Sequence, residues 1–533
     1  MKRRKFLGKL AAAGSVTAVS VTSARALAPG SEVTISTPAT EQARQLASGH
    51  QTARAIAELH LRRIEALNRR GPSLRAILLS NPDAATLADA LDQERKTRGP
   101  RGPLHGLPIA IKDNIDTSDG MPTTAGSLAL AGTKAPRDAF LVRRLRDAGA
   151  LVIGKTNLSE WANIRSPHSS SGWSGVGGQT RNPYVLDRSP SGSSSGSAAA
   201  VAAGFCAAAI GTETDGSIVS PASACSLVGL KPTVGLISRS GIIPISRTQD
   251  TAGPMTRTVA DAALLLGVLA GTDAEDSDTT ESDAHRHPDY TRFLSRDALR
   301  GARLGVIRGY FGAHPDVDAL MERQLARLRD LGAVLVDPVP IPTLHRFGDA
   351  EFEVLLYELK DGLSRYLATR GERVPVHSLA DIIAFNERHR ERELRYFGQE
   401  TFLLAQARGP LTDSTYLDAR SRCRQWARVE GLEAALTAHR LDALVAPTGG
   451  LPWLVDPING DAVSGGCSPL AAVAGTPHLT VPAGYFRGLP VGLSFLGPAW
   501  SEPALLGFGH AFELATRERR DPSFLATAPL GDS

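Results

Sequence analysis

Residues 189–221 contain almost only small side chains and read SPSGSSSGSAAAVAAGFCAAAIGTETDGSIVSP. Runs of Ser and Gly are typical of flexible linkers. This run, however, continues directly into residues 198–203, which favour a helix without a polar face, with Gly204 as its stop. The apolar residues 205–210 predict a buried strand, and residues 211–217 predict a loop. Elements built from Ala, Gly and Cys pack with their backbones close together, so we expect the serines to lie at the edge of a dense core.

Loops of small residues also expose backbone N–H groups that can hold an anion or an oxyanion. A phosphate loop needs a lysine next to its second glycine, and no lysine lies between Lys155 and Lys231. Residues 192–196 match the nucleophile elbow G-x-S-x-G with Ser194 as nucleophile, but that elbow must follow a buried strand. Residues 182–190 form a proline-bracketed loop instead, and no lysine has a serine three places before it. The sequence therefore disfavours phosphate binding, the elbow and the Ser-x-x-Lys class.

Lysine is rare in this chain: it accounts for nine of the 59 basic residues, and the others are arginine. Lys112 ends the segment GLPIAIK, whose pattern predicts a short buried strand. Burial disfavours the ammonium form, so such a lysine can act as a base near neutral pH. Alone, Lys112 would favour a strand-end lysine with its amine in water; beside the two serine loops, we favour the base.

Several long segments carry a resemblance to a known family. They are RGPLHGLP leading into Lys112-Asp113-Asn114, GKTNLSEWAN from Gly154, GGQTRNP from Gly177, the serine region, VGLKPTVG from Val228, QDTAGPM from Gln249, LVAPT from Leu444 and AWSEP from Ala499. On these segments the chain resembles the amidase signature family over about residues 38–520. It departs from the common pattern at Ser191 and Ser195, where many members have glycine.

The resemblance implies a Ser-Ser-Lys site that works through an acyl-enzyme. Lys112 would be the general base, Ser193 the proton relay, following a cis peptide bond, and Ser217, 24 positions later, the nucleophile. The backbone N–H groups of Thr214, Asp215, Gly216 and Ser217 would stabilise the oxyanion. Ser194 would either hydrogen-bond near Lys112 or stabilise the loop.

No cofactor or metal is expected, because the 13 histidines show no metal-binding spacing such as H-E-x-x-H. Asp113 and Asp116 could suggest a metal site, but turn and cap positions suit them better. Lys231 is expected to be structural.

Strand-like segments at 151–153, 205–210, 304–307 and 443–446 alternate with helical ones, such as 52–68 and 140–148. Such alternation favours an α/β fold with helices on both faces of a mixed sheet. The resemblance implies a single large α/β/α domain of this kind. Residues 273–288 are expected to form a surface loop. Residues 350–440, strongly helical and charged, are expected to cover the site and shape the substrate pocket.

Residues 1–26 resemble a twin-arginine export leader, with Arg3-Arg4 before a mildly apolar segment and Ala24-Arg25-Ala26 as the favoured cleavage site. The apolar segment is too rich in Ala, Ser and Thr to predict a stable membrane anchor. The leader holds six basic and no acidic residues, so the net charge of +4 becomes −2 without it, which removes the argument for a nucleic-acid partner. The prediction is an exported protein in the periplasm or outside the cell. Four cysteines do not make a disulfide scaffold; Cys206 and Cys225 are expected to be buried thiols.

The expected substrate is a small amide or a peptide amide, and the expected assembly is a monomer or homodimer. The leading hypothesis is hydrolysis of peptide C-terminal amides to the acid and ammonia. The alternatives are a general aliphatic or aryl amidase of the same family, and a protein like the A chain of glutamyl-tRNA amidotransferase, which the leader disfavours. The joint presence of Lys112, Ser193 and Ser217 argues against an inactive binding protein.

Overall fold

A computed structural model describes residues 33–371 and 374–529, and residues from Val33 onward form one compact unit. The predicted leader, residues 1–26, lies outside the described residues. The strands are β1 Ile77–Ser80, β2 Pro108–Lys112, β3 Leu151–Thr156, β4 Trp173–Ser174, β5 Gly178–Gln179, β6 Ala208–Glu213, β7 Val228–Lys231, β8 Thr251–Thr256, β9 Arg303–Val306, β10 Val334–Val336, β11 Ala443–Pro447, β12 His478–Phe486 and β13 Leu489–Leu496.

Eleven of these strands form one sheet in the order β1-β3-β2-β6-β8-β7-β12-β13-β11-β9-β10, while β4 and β5 pair separately. The sheet is mixed. Strand β2 runs parallel to both of its neighbours, β3 and β6, whereas β6 pairs with β8 in antiparallel register. The C-terminal ends of β2, β3 and β6 therefore lie side by side at one edge of the sheet, where α/β folds commonly bind ligands.

The α-helices surround this sheet. They are α1 Ala39–Ala47, α2 Ala53–Leu67, α3 Ala84–Arg98, α4 Phe140–Asp147, α5 Ser195–Ala202, α6 Val219–Ala224, α7 Val259–Leu269, α8 Ser282–His285, α9 Pro315–Asp330, α10 Gly348–Ala368, α11 Leu379–Arg388, α12 Arg390–Glu393, α13 Glu400–Gln406, α14 Ser414–Cys423, α15 Ala434–His439, α16 Ser468–Ala474 and α17 Glu502–Thr516. Short 3-10 turns lie at Leu128–Leu130, Glu160–Asn163, Ser277–Thr279, Thr291–Phe293 and Arg308–Tyr310, and Arg424–Glu433 is π-helical.

The two faces of the sheet carry separate apolar cores. In β2, Ile109 and Ile111 belong to the core that includes α7, whereas Ala110 belongs to the core that includes α5. Successive strand residues point to opposite faces, so this division shows helices packed on both. The predicted α/β fold with a mixed, helix-covered central sheet is confirmed.

The small-residue stretch folds nearly as predicted. Helix α5 ends at Ala202, and Gly204 adopts the left-handed conformation, with a φ of 76°, that glycine tolerates at such a stop. The strand prediction for residues 205–210 is shifted, because β6 begins at Ala208 and continues to Glu213. Gly211 and Thr212 therefore belong to the strand and not to the predicted loop.

The prediction of a surface loop at residues 273–288 is wrong in part. Asp273 and Asp276 are buried, and Asp276 pairs with Arg239 at 2.5 Å between Oδ1 and Nη2. The segment also contains helix α8. In this segment Asp276 neutralises Arg239, and Asp273 accepts hydrogen bonds from the hydroxyls of Ser238 and Ser240. The polar composition of the segment therefore did not indicate exposure to solvent.

All four cysteines are free and buried, which confirms the thiols expected at Cys206 and Cys225. Among the helices of the described ranges, none combines the length and the apolar character needed to cross a bilayer.

The close packing of α5 predicts a stability effect at Gly196. A Cβ there would approach the carbonyl oxygens of Ala76 and Asn157 closer than 3.0 Å, and both belong to the backbone, which cannot rotate away. We expect G196A to lower the free energy of unfolding by about 1–3 kcal/mol.

The matched control is G348A at the start of α10, where no atom lies within 4 Å of the added Cβ. It should be neutral or stabilising by up to about 1 kcal/mol. Chemical denaturation of both variants gives the comparison, and equal stabilities would contradict the tight packing of α5.

Candidate active site

Lys112 is the last residue of β2, and its side chain is fully buried. Its Nζ lies 2.9 Å from Ser193 Oγ, 2.8 Å from Thr212 Oγ1 and 3.2 Å from the Thr212 carbonyl oxygen. Thr212 lies on β6, the parallel neighbour of β2, so the register of two strands positions the amine. Asn114 Nδ2 also donates to Thr212 Oγ1, at 3.0 Å. The amine is thus enclosed by three oxygen atoms.

Burial lowers the pKa of Lys112 to about 7, against the attraction of the Asp250 and Glu213 carboxylates, which favours the charged form. An unperturbed lysine titrates about three units higher. Near neutral pH a substantial fraction of this amine is therefore uncharged and can accept a proton, as the sequence hypothesis requires.

Ser193 lies in the loop before α5 and is fully buried. The peptide bond between Gly192 and Ser193 is cis, as the family resemblance implies. The Ser193 carbonyl accepts a hydrogen bond from the Ser159 N–H at 3.0 Å. Ser193 is therefore fixed through its backbone, and its hydroxyl lies against Lys112.

Ser217 precedes α6 and is 8% exposed, whereas Lys112 and Ser193 have no exposed surface. Its carbonyl accepts a hydrogen bond from the Ser194 N–H at 3.1 Å, which joins the two serine loops. Within residues 33–371 and 374–529 its hydroxyl has no hydrogen-bond partner, so the structure brings Lys112 and Ser193 into contact but leaves Ser217 unbonded to Ser193.

The loop from Thr214 to Ser217 is held by Glu213, a residue that the sequence analysis missed. Glu213 Oε2 accepts from the N–H groups of Ile218 at 2.7 Å and Val219 at 3.0 Å. Gly216 has a φ of 77°, a conformation that favours glycine. In the described ranges no residue accepts a hydrogen bond from the N–H groups of Asp215 or Ser217, so both remain available to an oxyanion.

Ser194 forms hydrogen bonds with both the carbonyl and the N–H group of Thr212. Its Oγ donates to the Thr212 carbonyl at 3.1 Å and accepts from the Thr212 N–H at 3.2 Å. Because that carbonyl also accepts from Lys112, Ser194 acts through Thr212 and makes no direct bond to the amine. Both expectations for Ser194 therefore describe part of its contacts.

A second group of residues holds the loop from Thr214 to Ser217 through hydrogen bonds to Thr214. Thr214 Oγ1 donates to Asp250 Oδ1 at 2.6 Å, and Gln249 Nε2 bonds both the Thr214 carbonyl at 3.3 Å and Glu351 Oε1 at 2.8 Å. Glu351 lies on α10, so the helical region 350–440 contacts the loop through Gln249. Burial raises the pKa of Asp215 to about 7 and that of Glu351 to about 8, and the charge of Asp215 raises the pKa of Glu351 further.

Three polar residues that the sequence analysis treated as structural are buried. Asp113 follows β2 and pairs with Lys155 at 3.3 Å, and Asp116 pairs with Arg370 at 2.7 Å. Lys231 donates to the Pro232 carbonyl at 3.1 Å. The description of Asp113 and Asp116 as turn and cap residues was incomplete, because both are members of buried ion pairs. The described ranges hold no group of three or more His, Cys, Asp and Glu side chains arranged to bind a metal ion.

A cavity of about 310 Å³ opens beside this site. One wall comes from Ser191, Gly192, Asp215 and Gly216 of the two serine loops, and another from the irregular segment that follows β11, residues 448–467. The cavity is therefore a small, partly polar cleft beside the two serine loops, and the buried Lys112 and Ser193 lie outside its lining.

Comparison with known proteins agrees with this geometry. The family model for amidases matches residues 55–506. The chain belongs to the amidase signature family. A probable amidase of Arabidopsis thaliana is 41% identical over 484 residues, which cover 89% of each chain. The A chain of the glutamyl-tRNA(Gln) amidotransferase of Chloroflexus aurantiacus is 39% identical, over 88% of this chain and 95% of that one.

Solved structures of peptide amidase are similar to this amidase-family chain. The complex of peptide amidase with the competitive inhibitor chymostatin has a TM-score of 0.89 and 52% identity, over 92% of this chain and 99% of that one. The native peptide amidase of Stenotrophomonas maltophilia has a TM-score of 0.87 and 51% identity, over 92% and 98%. The amidase family assignment and these neighbours make the chain an amide hydrolase.

The lowered pKa of Lys112 predicts a specific pH dependence of stability. Between about pH 7 and about pH 10 the unfolded chain binds a proton at Lys112 that the folded chain does not. The free energy of unfolding of the wild type should therefore rise with pH relative to K112M by about 1.4 kcal/mol per pH unit. Urea denaturation of both proteins across this range measures the slope.

The control variant is K134M, which makes the same substitution at an exposed lysine, Lys134. A difference between wild type and K112M that stays constant with pH would contradict the lowered pKa.

Proposed function

We propose that this amidase hydrolyses the C-terminal amide of peptides through an acyl-enzyme, with Lys112 as base, Ser193 as relay and Ser217 as nucleophile. The observation that carries the proposal is the buried Lys112 amine, hydrogen-bonded to Ser193 at 2.9 Å and with a pKa of about 7. A serine hydroxyl becomes a good nucleophile only when a nearby base takes its proton.

The contacts of Lys112 favour a particular orientation of its neutral amine. A neutral amine has two hydrogens and one lone pair, while three oxygens surround Nζ. The Thr212 carbonyl can only accept, and Thr212 Oγ1, which accepts from Asn114, has a second lone pair that accepts from the amine. With both hydrogens directed at Thr212, the lone pair faces Ser193. This orientation suits removal of the Ser193 proton.

In the proposed mechanism, Ser217 transfers its proton to Ser193 Oγ, and Ser193 transfers its own to Lys112. Ser217 Oγ then bonds the amide carbon, and the N–H groups of the loop ending at Ser217 stabilise the oxyanion. Lys112 returns the proton through Ser193 to the leaving nitrogen, the C–N bond breaks and ammonia departs. Water attacks the ester along the same proton path, which releases the acid and restores Ser217.

The peptide substrate is inferred from two observations. The solved structures named above are peptide amidases over nearly their whole length, and the cavity of about 310 Å³ has room for a side chain and part of a peptide backbone. A general aliphatic or aryl amidase is the second candidate. The similarity to the A chain of glutamyl-tRNA(Gln) amidotransferase favours a third, but the leader predicted at residues 1–26 fits an exported enzyme better.

We expect the purified enzyme to release ammonia from an N-blocked dipeptide amide with a higher kcat/KM than from a simple aliphatic amide. S217A should abolish both activities and leave the melting temperature nearly unchanged, because the Ser217 hydroxyl has no partner in the described ranges. Coupled ammonia detection and thermal unfolding test this.

S220A, at a serine that lines the same cavity, is the control and should remain active. Turnover of the simple amide alone would refute the peptide proposal, and an active S217A would refute the assignment of the nucleophile.

We further propose that the enzyme is exported through its leader. Changing both Arg3 and Arg4 to lysine should leave the precursor in the cytoplasm of a bacterial host, because a twin-arginine signal is read by its receptor and not by its charge. The control is R25K, which makes the same Arg-to-Lys change outside the arginine pair and should be exported. Fractionation with immunoblotting gives the answer, and export of the double variant at the wild-type level would contradict this route.

A further inference from the structure

The cavity beside the serine loops has an unbalanced set of ionisable side chains. Asp215 and Asp461 line it, and among its described lining residues there is no Lys, Arg or His. The remaining walls are hydroxyls, glycines, the amide of Asn163 and apolar groups such as Leu451, Trp453 and Val463. A substrate in this cavity therefore meets carboxylates but no cationic side chain.

Asp461 is held rigidly in the wall formed by residues 448–467. Its Oδ2 accepts from the Ser171 N–H at 2.9 Å, and its Oδ1 accepts from the same N–H at 3.1 Å and from Trp453 Nε1 at 2.9 Å. Burial raises the pKa of this carboxyl, and the hydrogen bonds from Ser171 and Trp453 oppose that rise. Because both partners donate, the contacts favour the ionised form. Asp461 thus presents a negative charge in a fixed position.

Ser171 lies between Asp461 and the loop that carries Ser193. The Ser171 N–H holds the carboxylate, and a Cβ built on Gly192 would lie 3.2 Å from Ser171 Oγ. Gly192 immediately precedes Ser193, and both Gly192 and Asp461 line the cavity. The loop that carries Ser193 and the Asp461 carboxylate therefore face one cavity.

We propose that Asp461 sets a charge preference for the residue that carries the scissile amide, so that neutral and cationic side chains are accepted and anionic side chains are rejected. The inference rests on the proposed peptide amidase function. It specifies the substrates as peptide amides whose last residue is uncharged or basic. The repulsion also applies to the product, because a neutral carboxamide enters and a carboxylate leaves.

Other charged groups near the cavity do not cancel this field. Asp215 adds negative charge in its ionised form, and it is close enough to Glu351 to raise the pKa of that carboxyl. The buried lysines 112 and 231 are offset by Glu213 and Asp250. Arg188 lies outside the lining, where it pairs with Asp187 at 3.5 Å and donates to the Pro452 carbonyl at 3.4 Å.

The test compares N-blocked dipeptide amides that end in Gln, Glu or Lys, because Gln and Glu differ in charge at nearly constant shape. We expect the wild type to prefer Gln over Glu by about tenfold in kcat/KM, as for two like charges in a partly screened site. D461N should reduce this preference to about two- to threefold, because it removes the charge. The amide oxygen in the Oδ1 position can still accept from Ser171 and Trp453, and only the bond from Ser171 to Oδ2 is lost. The preference of the wild type for Gln over Glu should also decrease when the salt concentration rises from about 0.05 to 0.5 M, because salt screens the repulsion between Asp461 and the Glu side chain.

D456N is the matched control. Asp456 lies in the same segment, where it accepts from the N–H groups of Ile458 and Asn459, and it does not line the cavity. This variant should keep the wild-type preference.

Equal turnover of the Gln and Glu amides by the wild type would overturn the inference, and so would a preference unchanged in D461N. If D461N fails to fold, the salt dependence of the wild-type preference decides, and its absence overturns the proposal. Failure to hydrolyse any peptide amide, with a simple amide still turned over, would instead refute the proposed function.

Discussion

The desolvation of Lys112 is the interaction on which the rest of the site depends. A lysine at the end of a strand whose five residues are all buried loses its hydration, and an unpaired ammonium there is unfavourable. Within residues 33–371 and 374–529, no carboxylate contacts the Lys112 amine. Asp250 and Glu213 act on it only from a distance, and the direct partners are the neutral oxygens of Ser193 and Thr212. Neutral acceptors solvate either form of the amine without fixing its charge, so the pKa falls to about 7 and does not remain near that of a paired lysine.

This arrangement requires backbones to approach more closely than ordinary side chains allow. A Cβ on Gly211 would lie 2.8 Å from both Ser194 Oγ and Met255 Sδ, and one on Gly196 would meet two carbonyl oxygens. The small-residue stretch is therefore a packing requirement. It lets α5 lie directly on the strands that carry Lys112 and Thr212, which places Ser193 over the amine. A larger side chain would separate Ser193 from Lys112 even if all three proposed catalytic residues were retained.

The sequence predicted those features that depend on local pattern. The boundaries of α2 and α4, the strand ending at Lys112 and the glycine stop after α5 follow from spacing and from residue type. The start of β6 was misplaced, because Phe205 and Cys206 are as apolar as a strand but lie before it. Thr212, Glu213, Gln249 and Asp461 were missed for a different reason. The roles of Thr212, Gln249 and Asp461 come from contacts between distant parts of the chain, such as Asp461 with Ser171, 290 positions apart, and no local pattern encodes these. Glu213 bonds N–H groups only five and six positions later, but this contact depends on the turn that the loop makes.

Four ionisable side chains around the serine loops titrate close to neutral pH. Lys112 and Asp215 both have a pKa of about 7, with the pKa of Asp250 at about 6 and that of Glu351 at about 8. The charges of Asp250 and Glu213 act on Lys112, and the charge of Asp215 raises the pKa of Glu351, so the titration of each group depends on the charge of its neighbours. In the proposed mechanism, the positive charge that forms when Lys112 takes a proton is stabilised by the carboxylates of Asp250 and Glu213. In the proposed mechanism, the carboxylates near the serine loops also repel the newly formed carboxylate product, which favours release of the acid.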